Sequence, residues 1–67
     1  MNGRLRRLRE LRALSQRELA KKAGVNTTTI NRIERGKQRP IPKTIRKLAV
    51  ALEVTIEEIM SEQQRLI

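Results

Sequence analysis

The sequence predicts an all-α domain, because apolar residues recur at helical spacing and no segment alternates between apolar and polar residues. The clearest stripe follows an i, i+3, i+4, i+7 pattern through Ile45, Leu48, Ala49 and Leu52. The 67 residues are enough for one small domain, and no Gly- or Ser-rich linker interrupts them. We therefore expect residues 1–67 to form a single compact bundle of five short helices.

The first two helices are predicted from apolar spacing and capping residues. Leu5 and Leu8 lie one helical turn apart near the start of the chain. Ser15 and Glu18 have the spacing of a capping box, in which each side chain bonds the backbone N–H of the other residue, so a second helix should begin there. Gly24 follows the last apolar residue of that helix and suits a left-handed turn at its end.

Three further helices are predicted in the same way. Asn26 is a favourable N-cap for the third helix, and Gly36 ends it. Pro42 fits the first position of the fourth helix, and Thr55 with Glu58 repeats the capping-box spacing at the fifth. The predicted helices span about residues 3–12, 16–23, 27–34, 42–52 and 56–63.

The composition excludes several classes of site. Without His or Cys there is no zinc finger, thiol nucleophile, Ser-His-Asp triad or disulfide framework, so we expect neither an enzyme nor a bound metal or cofactor. The longest apolar run, Leu48–Leu52, is far shorter than the ~20 residues that span a bilayer. The basic segment Met1–Arg9 is not followed by an apolar stretch and so does not resemble a signal peptide; we expect a cytoplasmic protein.

The charge is strongly positive and unevenly distributed. Sixteen Lys and Arg face seven Glu, for a net charge of +9. Residues 1–47 carry fifteen of the basic side chains, whereas residues 48–67 carry four of the glutamates. This balance favours a polyanionic partner, either nucleic acid or an anionic membrane surface, contacting one end of the domain. The alternative is that the excess of basic residues serves only solubility.

The connection between the second and third helices indicates a helix-turn-helix. Only residues 24–26 join them, and so short a turn sets two helices at a steep angle. Ala20 supplies the small side chain needed where the helices approach, and Ile30 and Ile33 anchor the inner face of the third helix. Its outward residues are hydrogen-bond donors without negative charge: Thr27, Thr28, Asn31, Arg32 and Arg35.

Three blocks of sequence carry a family resemblance. The segments Leu14–Asn26 (LSQRELAKKAGVN), Ile30–Lys37 (INRIERGK) and Leu48–Ile59 (LAVALEVTIEEI) together resemble the Cro/C1-type (XRE) helix-turn-helix family. The resemblance covers about residues 3–60. It implies a five-helix, lambda-repressor-like bundle that binds double-stranded DNA sequence-specifically as a transcriptional regulator, most often a repressor.

The resemblance also implies roles for individual residues. Base-reading positions are matched by Asn26, Thr27, Thr28 and Arg32. Phosphate-contacting positions are assigned to Gln16, Asn31, Arg35, Lys37 and Arg39, with Gln16 bridging a phosphate and the recognition helix. Arg9 and Glu34 match a structural salt bridge between the first and third helices. Independently of the resemblance, a helix N-terminus suits phosphate, and an arginine can pair with guanine O6 and N7 in the major groove.

Alternatives remain at several of these positions. Thr27 and Thr28 are also ordinary helix-start residues, and Arg32 can contact a phosphate or only solvent. The arginines of the first helix more often form a solvated face than a DNA contact: Arg4, Arg6, Arg7 and Arg12.

Two residues depart from the family pattern. Ala13 stands where Gly commonly ends the first helix, and it carries strain if its φ is positive. Ile41 replaces a capping Ser or Thr before the fourth helix.

A single recognition helix reads few base pairs, so such regulators usually bind inverted repeats as twofold dimers. The homodimer surface is expected around the fifth helix, at Ile56, Ile59, Met60, Leu66 and Ile67. The alternative is that these apolar residues close the core, or that Leu66 and Ile67 form a frayed tail.

Two other functions compete with a DNA-binding regulator. The chain could be the antitoxin of a toxin–antitoxin pair, binding a toxin protein as well as its own promoter. Its basic amphipathic start would also suit a membrane-active protein, but the ordered capping boxes argue against that reading.

Overall fold

In a computed structural model of the protein, which describes residues 3–60, the chain forms five helices and no strand. They are α1 (Arg4–Leu11), α2 (Gln16–Ala23), α3 (Thr27–Glu34), α4 (Pro42–Leu52) and α5 (Ile56–Met60). The all-α prediction is confirmed, and α1 to α4 begin and end within one residue of the predicted bounds. The predicted continuation of the fifth helix to residue 63 lies outside the described residues.

The predicted caps form at the expected helix starts. In the capping box of α2, the Glu18 N–H donates to Ser15 Oγ at 3.0 Å and the Ser15 N–H donates to Glu18 Oε1 at 2.7 Å. Asn26 caps α3 by accepting the Thr28 N–H at Oδ1, 3.0 Å away. Ile41 offers no side-chain cap to α4, which begins instead on Pro42. These local bonds explain why short helices begin where they do, since each satisfies an amide that the helix itself leaves unpaired.

One hydrophobic core lies between all five helices. It is built from aliphatic residues only: Leu5, Leu8, Leu19, Ala20, Ala23, Ile30, Ile33, Ile45, Leu48, Ala49, Ala51, Leu52 and Ile59. Helix α2 packs on α3 and α4, while α1 packs on α3 and α5. Because α3 rests on α1 and α2 along one side, its opposite side is left facing outward.

Ile59 corrects one prediction. It was assigned to a dimer surface with the core as the alternative, and the alternative is correct, because its side chain is 0% exposed and forms part of the core. Ile56 and Met60, on the same short helix, are 42% and 54% exposed. A single turn of an amphipathic helix buries one apolar position and exposes its neighbours, and the sequence alone did not separate the two sets. Leu66 and Ile67 lie outside the described residues.

Arg4 of α1 and Arg12, the C-cap residue of that helix, bond the backbone of the C-terminal half. Arg12 Nε donates to the Leu52 carbonyl at 2.7 Å and its Nη2 donates to the Glu53 carbonyl at 3.3 Å. Arg4 Nε donates to the Glu58 carbonyl at 2.8 Å. The Leu52 carbonyl belongs to the last turn of α4, where the helix supplies no partner. These arginines therefore hold α1 against α4 and α5. Arg4 is half-buried and Arg12 remains exposed, so both are bonded to the domain while they still contact solvent.

Helices α1 to α4 end in the same left-handed turn. In α1 the Leu14 N–H donates to the Arg9 carbonyl at 3.1 Å and the Ala13 N–H donates to the Glu10 carbonyl at 2.9 Å, which is the Schellman pattern. The residue at the turn has positive φ in every case: Ala13 (58°), Gly24 (71°), Gly36 (72°) and Glu53 (59°). Two of these turns therefore place a Cβ in a conformation that costs a non-glycine residue about 1 kcal/mol.

We expect Ala13→Gly to stabilise the protein by about 0.5–1 kcal/mol, because relief of this strain exceeds the entropy that glycine adds to the unfolded chain. Thermal unfolding should show Tm rising by a few degrees. Ala49→Gly is the control and should lower Tm, since glycine inside α4 costs about 1 kcal/mol of helix propensity and also removes a buried methyl group. A lower Tm for Ala13→Gly would contradict the interpretation that Ala13 is strained.

Candidate nucleic-acid interface

The turn between α2 and α3 is held by backbone bonds and by the core. The Val25 N–H donates to the Ala20 carbonyl at 2.9 Å, and the Val25 side chain packs against the core. Ala20 is 3% exposed, as expected for a small residue between two crossing helices. The helix-turn-helix predicted from the sequence is present, with α2 and α3 in direct contact.

The outward side of α3 carries donors and no free carboxylate. Thr28, Arg32 and Arg35 are exposed and follow each other at i, i+4 and i+7, which places them on one face. Thr27 and Asn31 are half-buried beside that face. Threonine can bond either kind of base edge, and arginine can pair bidentately with guanine. This face can therefore hydrogen-bond base edges in a groove that admits one helix.

The only carboxylate of α3 is turned inward. Glu34 Oε2 accepts from Arg9 Nε at 2.7 Å, and Glu34 Oε1 accepts from Arg9 Nη2 at 3.1 Å. Arg9 Nη1 also donates to the Leu14 carbonyl at 2.8 Å. The Glu34 side chain is 4% exposed and the Arg9 side chain 11%. The predicted salt bridge is confirmed as a two-pronged, nearly buried pair between α1 and α3.

The environment of Arg9 favours its charged form. The hydrogen bond to Glu34 raises the pKa of the Arg9 guanidinium above its usual value, against the opposing effect of burial. The contribution of this raised pKa to stability is complete below the unfolded-state pKa and would be lost only at higher pH, so the Arg9 charge persists throughout the physiological range.

Gln16 extends this pair to the recognition helix. Its Nε2 donates to Glu34 Oε1 at 3.0 Å, and its Oε1 accepts from Asn31 Nδ2 at 3.3 Å. Arg9, Glu34, Gln16 and Asn31 therefore form one chain of hydrogen bonds that joins α1, α2 and α3. The predicted contact between Gln16 and the recognition helix is confirmed. The sequence did not identify Asn31 as its partner, because amide pairs carry no spacing signal across separate helices.

An open hollow of about 270 Å³ lies over this chain. It is lined by Arg6, Arg9, Gln16, Asn31, Glu34 and Arg35. Gln16 is the first residue of α2, so the N-terminal end of that helix lies at the hollow. Guanidinium groups and a helix N-terminus together favour an anion such as a backbone phosphate.

The remaining predicted residues lie at the edges of α3. Asn26 is exposed, but its side-chain oxygen is occupied by the cap bond to Thr28. Lys37 and Arg39 are exposed on the segment that leads to α4, outside the lining of the hollow. The structure thus brings Gln16, Asn31 and Arg35 together and leaves Lys37 and Arg39 on a neighbouring surface.

A family model described as helix-turn-helix matches residues 5–59. The chain belongs to the helix-turn-helix family. This match confirms the helix-turn-helix resemblance stated from the sequence.

Relatives are known from both bacteria and archaea. The helix-turn-helix domain is 49% identical over 57 residues to the transcriptional repressor RghR of Bacillus subtilis, covering 84% of this chain and 42% of that protein. It is 44% identical over 59 residues to the uncharacterized regulator MJ0272 of Methanocaldococcus jannaschii, covering 88% of this chain and 89% of that protein. The chain thus spans less than half the length of its Bacillus relative.

A solved structure shares the same fold. The crystal structure of the restriction-modification controller protein C.AhdI from Aeromonas hydrophila matches with a TM-score of 0.81 at 38% sequence identity, covering 84% of this chain and 85% of that one. Within residues 3–60 of the helix-turn-helix domain, none of the helices has the length and apolar character needed to cross a membrane.

We expect Glu34→Ala to destabilise the domain by about 2–4 kcal/mol, because it leaves the nearly buried Arg9 guanidinium without its partner. Urea unfolding measures the loss. Glu10→Ala is the matched control, since Glu10 also pairs with an arginine, Arg6, but in an exposed i, i+4 pair worth at most about 0.5 kcal/mol. Equal losses in the two variants would contradict the structural role of the buried pair.

Proposed function

We propose that the chain is a sequence-specific regulator that represses transcription by placing α3 in the major groove of double-stranded DNA. The observation that carries the proposal is the outward face of α3, where Thr28, Arg32 and Arg35 are exposed while Glu34 is buried against Arg9. A free carboxylate on that face would repel phosphates, and the pairing of Glu34 with Arg9 offsets much of this repulsion. Recognition needs no catalytic group, so we propose that the protein acts by binding alone.

The proposed contacts divide into base reading and backbone binding. Thr27, Thr28 and Arg32 would face base edges from the first half and middle of α3, with Asn26 at the edge of this set. The backbone contacts are assigned to donors around the hollow and on the segment after α3: Gln16, Asn31, Arg35, Lys37 and Arg39. One phosphate oxygen held in the hollow would fix the depth at which α3 enters the groove.

We propose that two copies bind an inverted repeat through a contact centred on α5. Ile56 and Met60 stand four residues apart on this helix and are both exposed, which gives one apolar face. Glu57 on the same helix and Glu53 before it are exposed acids, unsuited to contact with phosphates. A pairing at this end would leave the basic end of each copy free for DNA.

Selection of binders from a random duplex library, with excess competitor DNA at physiological salt, tests the proposal. We expect enrichment of an inverted repeat whose half-sites are about one helical turn, ~34 Å, apart. An Ile56→Glu, Met60→Glu variant should enrich single half-sites only. Binding without any enriched sequence would overturn the proposal and favour the antitoxin function, which copurification of a toxin protein would then test.

Arg32→Ala should relax base preference at one position of the enriched site, at a cost of about 1–3 kcal/mol for the preferred base pair. Lys37→Ala should instead weaken binding to all sequences about equally and make the salt dependence shallower by about one unit of slope. Fluorescence anisotropy on the enriched duplex and its single-base variants measures both effects. The reverse pattern would show that the roles of the two residues are exchanged.

A further inference from the structure

We propose that Glu34 is a positioning residue for DNA binding, which fixes the orientation of the Gln16 amide and through it the donors offered to a backbone phosphate. The proposal rests on the function proposed above and deepens it. It assigns Glu34 a task beyond its salt bridge, carried by its second hydrogen bond, 3.0 Å from Gln16 Nε2.

The direction of each hydrogen bond follows from the chemistry of the carboxylate. An ionised carboxylate only accepts hydrogen bonds, and Arg9 holds both Glu34 oxygens in place with two N–H groups. Gln16 must therefore turn its NH₂ group toward Glu34, which leaves its carbonyl oxygen for α3. Asn31 then has to donate to that oxygen, as it does at 3.3 Å. The Glu34 carboxylate thus determines which way the Gln16 amide is turned, and Gln16 in turn determines the orientation of the Asn31 amide.

The orientation of these two amides determines whether the hollow offers N–H donors or carbonyl oxygens to a ligand. Each amide NH₂ group has two N–H bonds, and Gln16 and Asn31 each use one of them within the chain. The second N–H of each has no partner in this chain of bonds, and both residues line the hollow together with Arg35. A phosphate oxygen would then meet donors from α2 and α3 at once. Without an acceptor at Glu34, the Gln16 amide could reverse and present its carbonyl oxygen instead, which repels phosphate.

Electrostatics alone predicts the opposite outcome for loss of Glu34. Removing a carboxylate from the lining of a DNA-facing hollow adds one unit of positive charge and should tighten binding. The positioning role predicts weaker binding. A test at constant net charge therefore separates the two effects.

The experiment compares two double variants, Arg9→Met with Glu34→Gln and Arg9→Met with Glu34→Met. Both lack the ion pair and have the same net charge, and Gln and Met have similar size. Only Gln can still accept a bond from Gln16. With the wild-type-enriched duplex as probe, we expect the Glu34→Gln member to bind about threefold to tenfold more tightly, the value of one hydrogen bond.

The same comparison in a Gln16→Ala background provides the control. The difference between the two members should disappear there, because no amide remains to be oriented. Thermal unfolding of each variant establishes that binding is measured on folded protein. A purely structural role for Glu34 would give the same difference whether or not Gln16 is present.

Glu34→Asp serves if either double variant does not fold. It keeps the charge and shortens the side chain by one methylene, so we expect binding several-fold weaker than wild type with an unchanged salt slope. Equal affinities of the double variants, or wild-type affinity of Glu34→Asp, would overturn the positioning role and leave the proposed function intact. A wild-type protein that enriches no sequence would overturn both.

Discussion

The structure depends on one buried carboxylate. Glu34 ends the helix that faces DNA in the proposed function, yet its side chain lies inside, bonded by Arg9 from α1 and by Gln16 from α2. An unpaired charge in that position would cost several kcal/mol, so α1 and α2 must be in place whenever Glu34 is buried. The core beneath is small and entirely aliphatic, and it orients α3 only through Ile30 and Ile33. The directional hydrogen bonds from Arg9 and Gln16 to Glu34 add a constraint on the rotation of α3 about its own axis.

The arginines of α1, and Arg12 directly after it, also make hydrogen bonds within the domain. The net charge of +9 suggests a broad basic surface. Four of these arginines are engaged within the domain: Arg6 pairs with Glu10 and Arg9 with Glu34, while Arg4 and Arg12 bond carbonyls of α5, α4 and the turn between them. Their charges still contribute to the field around the molecule, and each of them uses its Nε–H for a bond within the domain. In the proposed function, the specific contacts come instead from the exposed cations of α3 and of the segment after it.

The helix bounds could be predicted from the sequence because their causes are local. The capping box of Ser15 and Glu18 and the N-cap Asn26 act within four residues, so spacing alone reveals them. Ile59 was misassigned because its burial depends on how α5 rests on α1 and α4, which no local pattern encodes. The link between Gln16 and Asn31 was missed for the same reason. Its direction follows from the charge of Glu34, and that relation exists only after three helices have assembled.

The strained turn at Ala13 and the position of the Arg9 charge are connected. The turn at Ala13 keeps an unfavourable positive φ, but it brings the Leu14 carbonyl within 2.8 Å of Arg9 Nη1. That bond helps to aim the guanidinium at Glu34, so a local cost at the end of α1 is offset by order at the end of α3. The direction of Gln16 then follows from Glu34, and that of Asn31 from Gln16. The orientation of the donors on the outward face of α3 therefore depends on the backbone turn at the end of α1. In the proposed function, substitutions at that turn should alter DNA recognition although they lie far from the DNA.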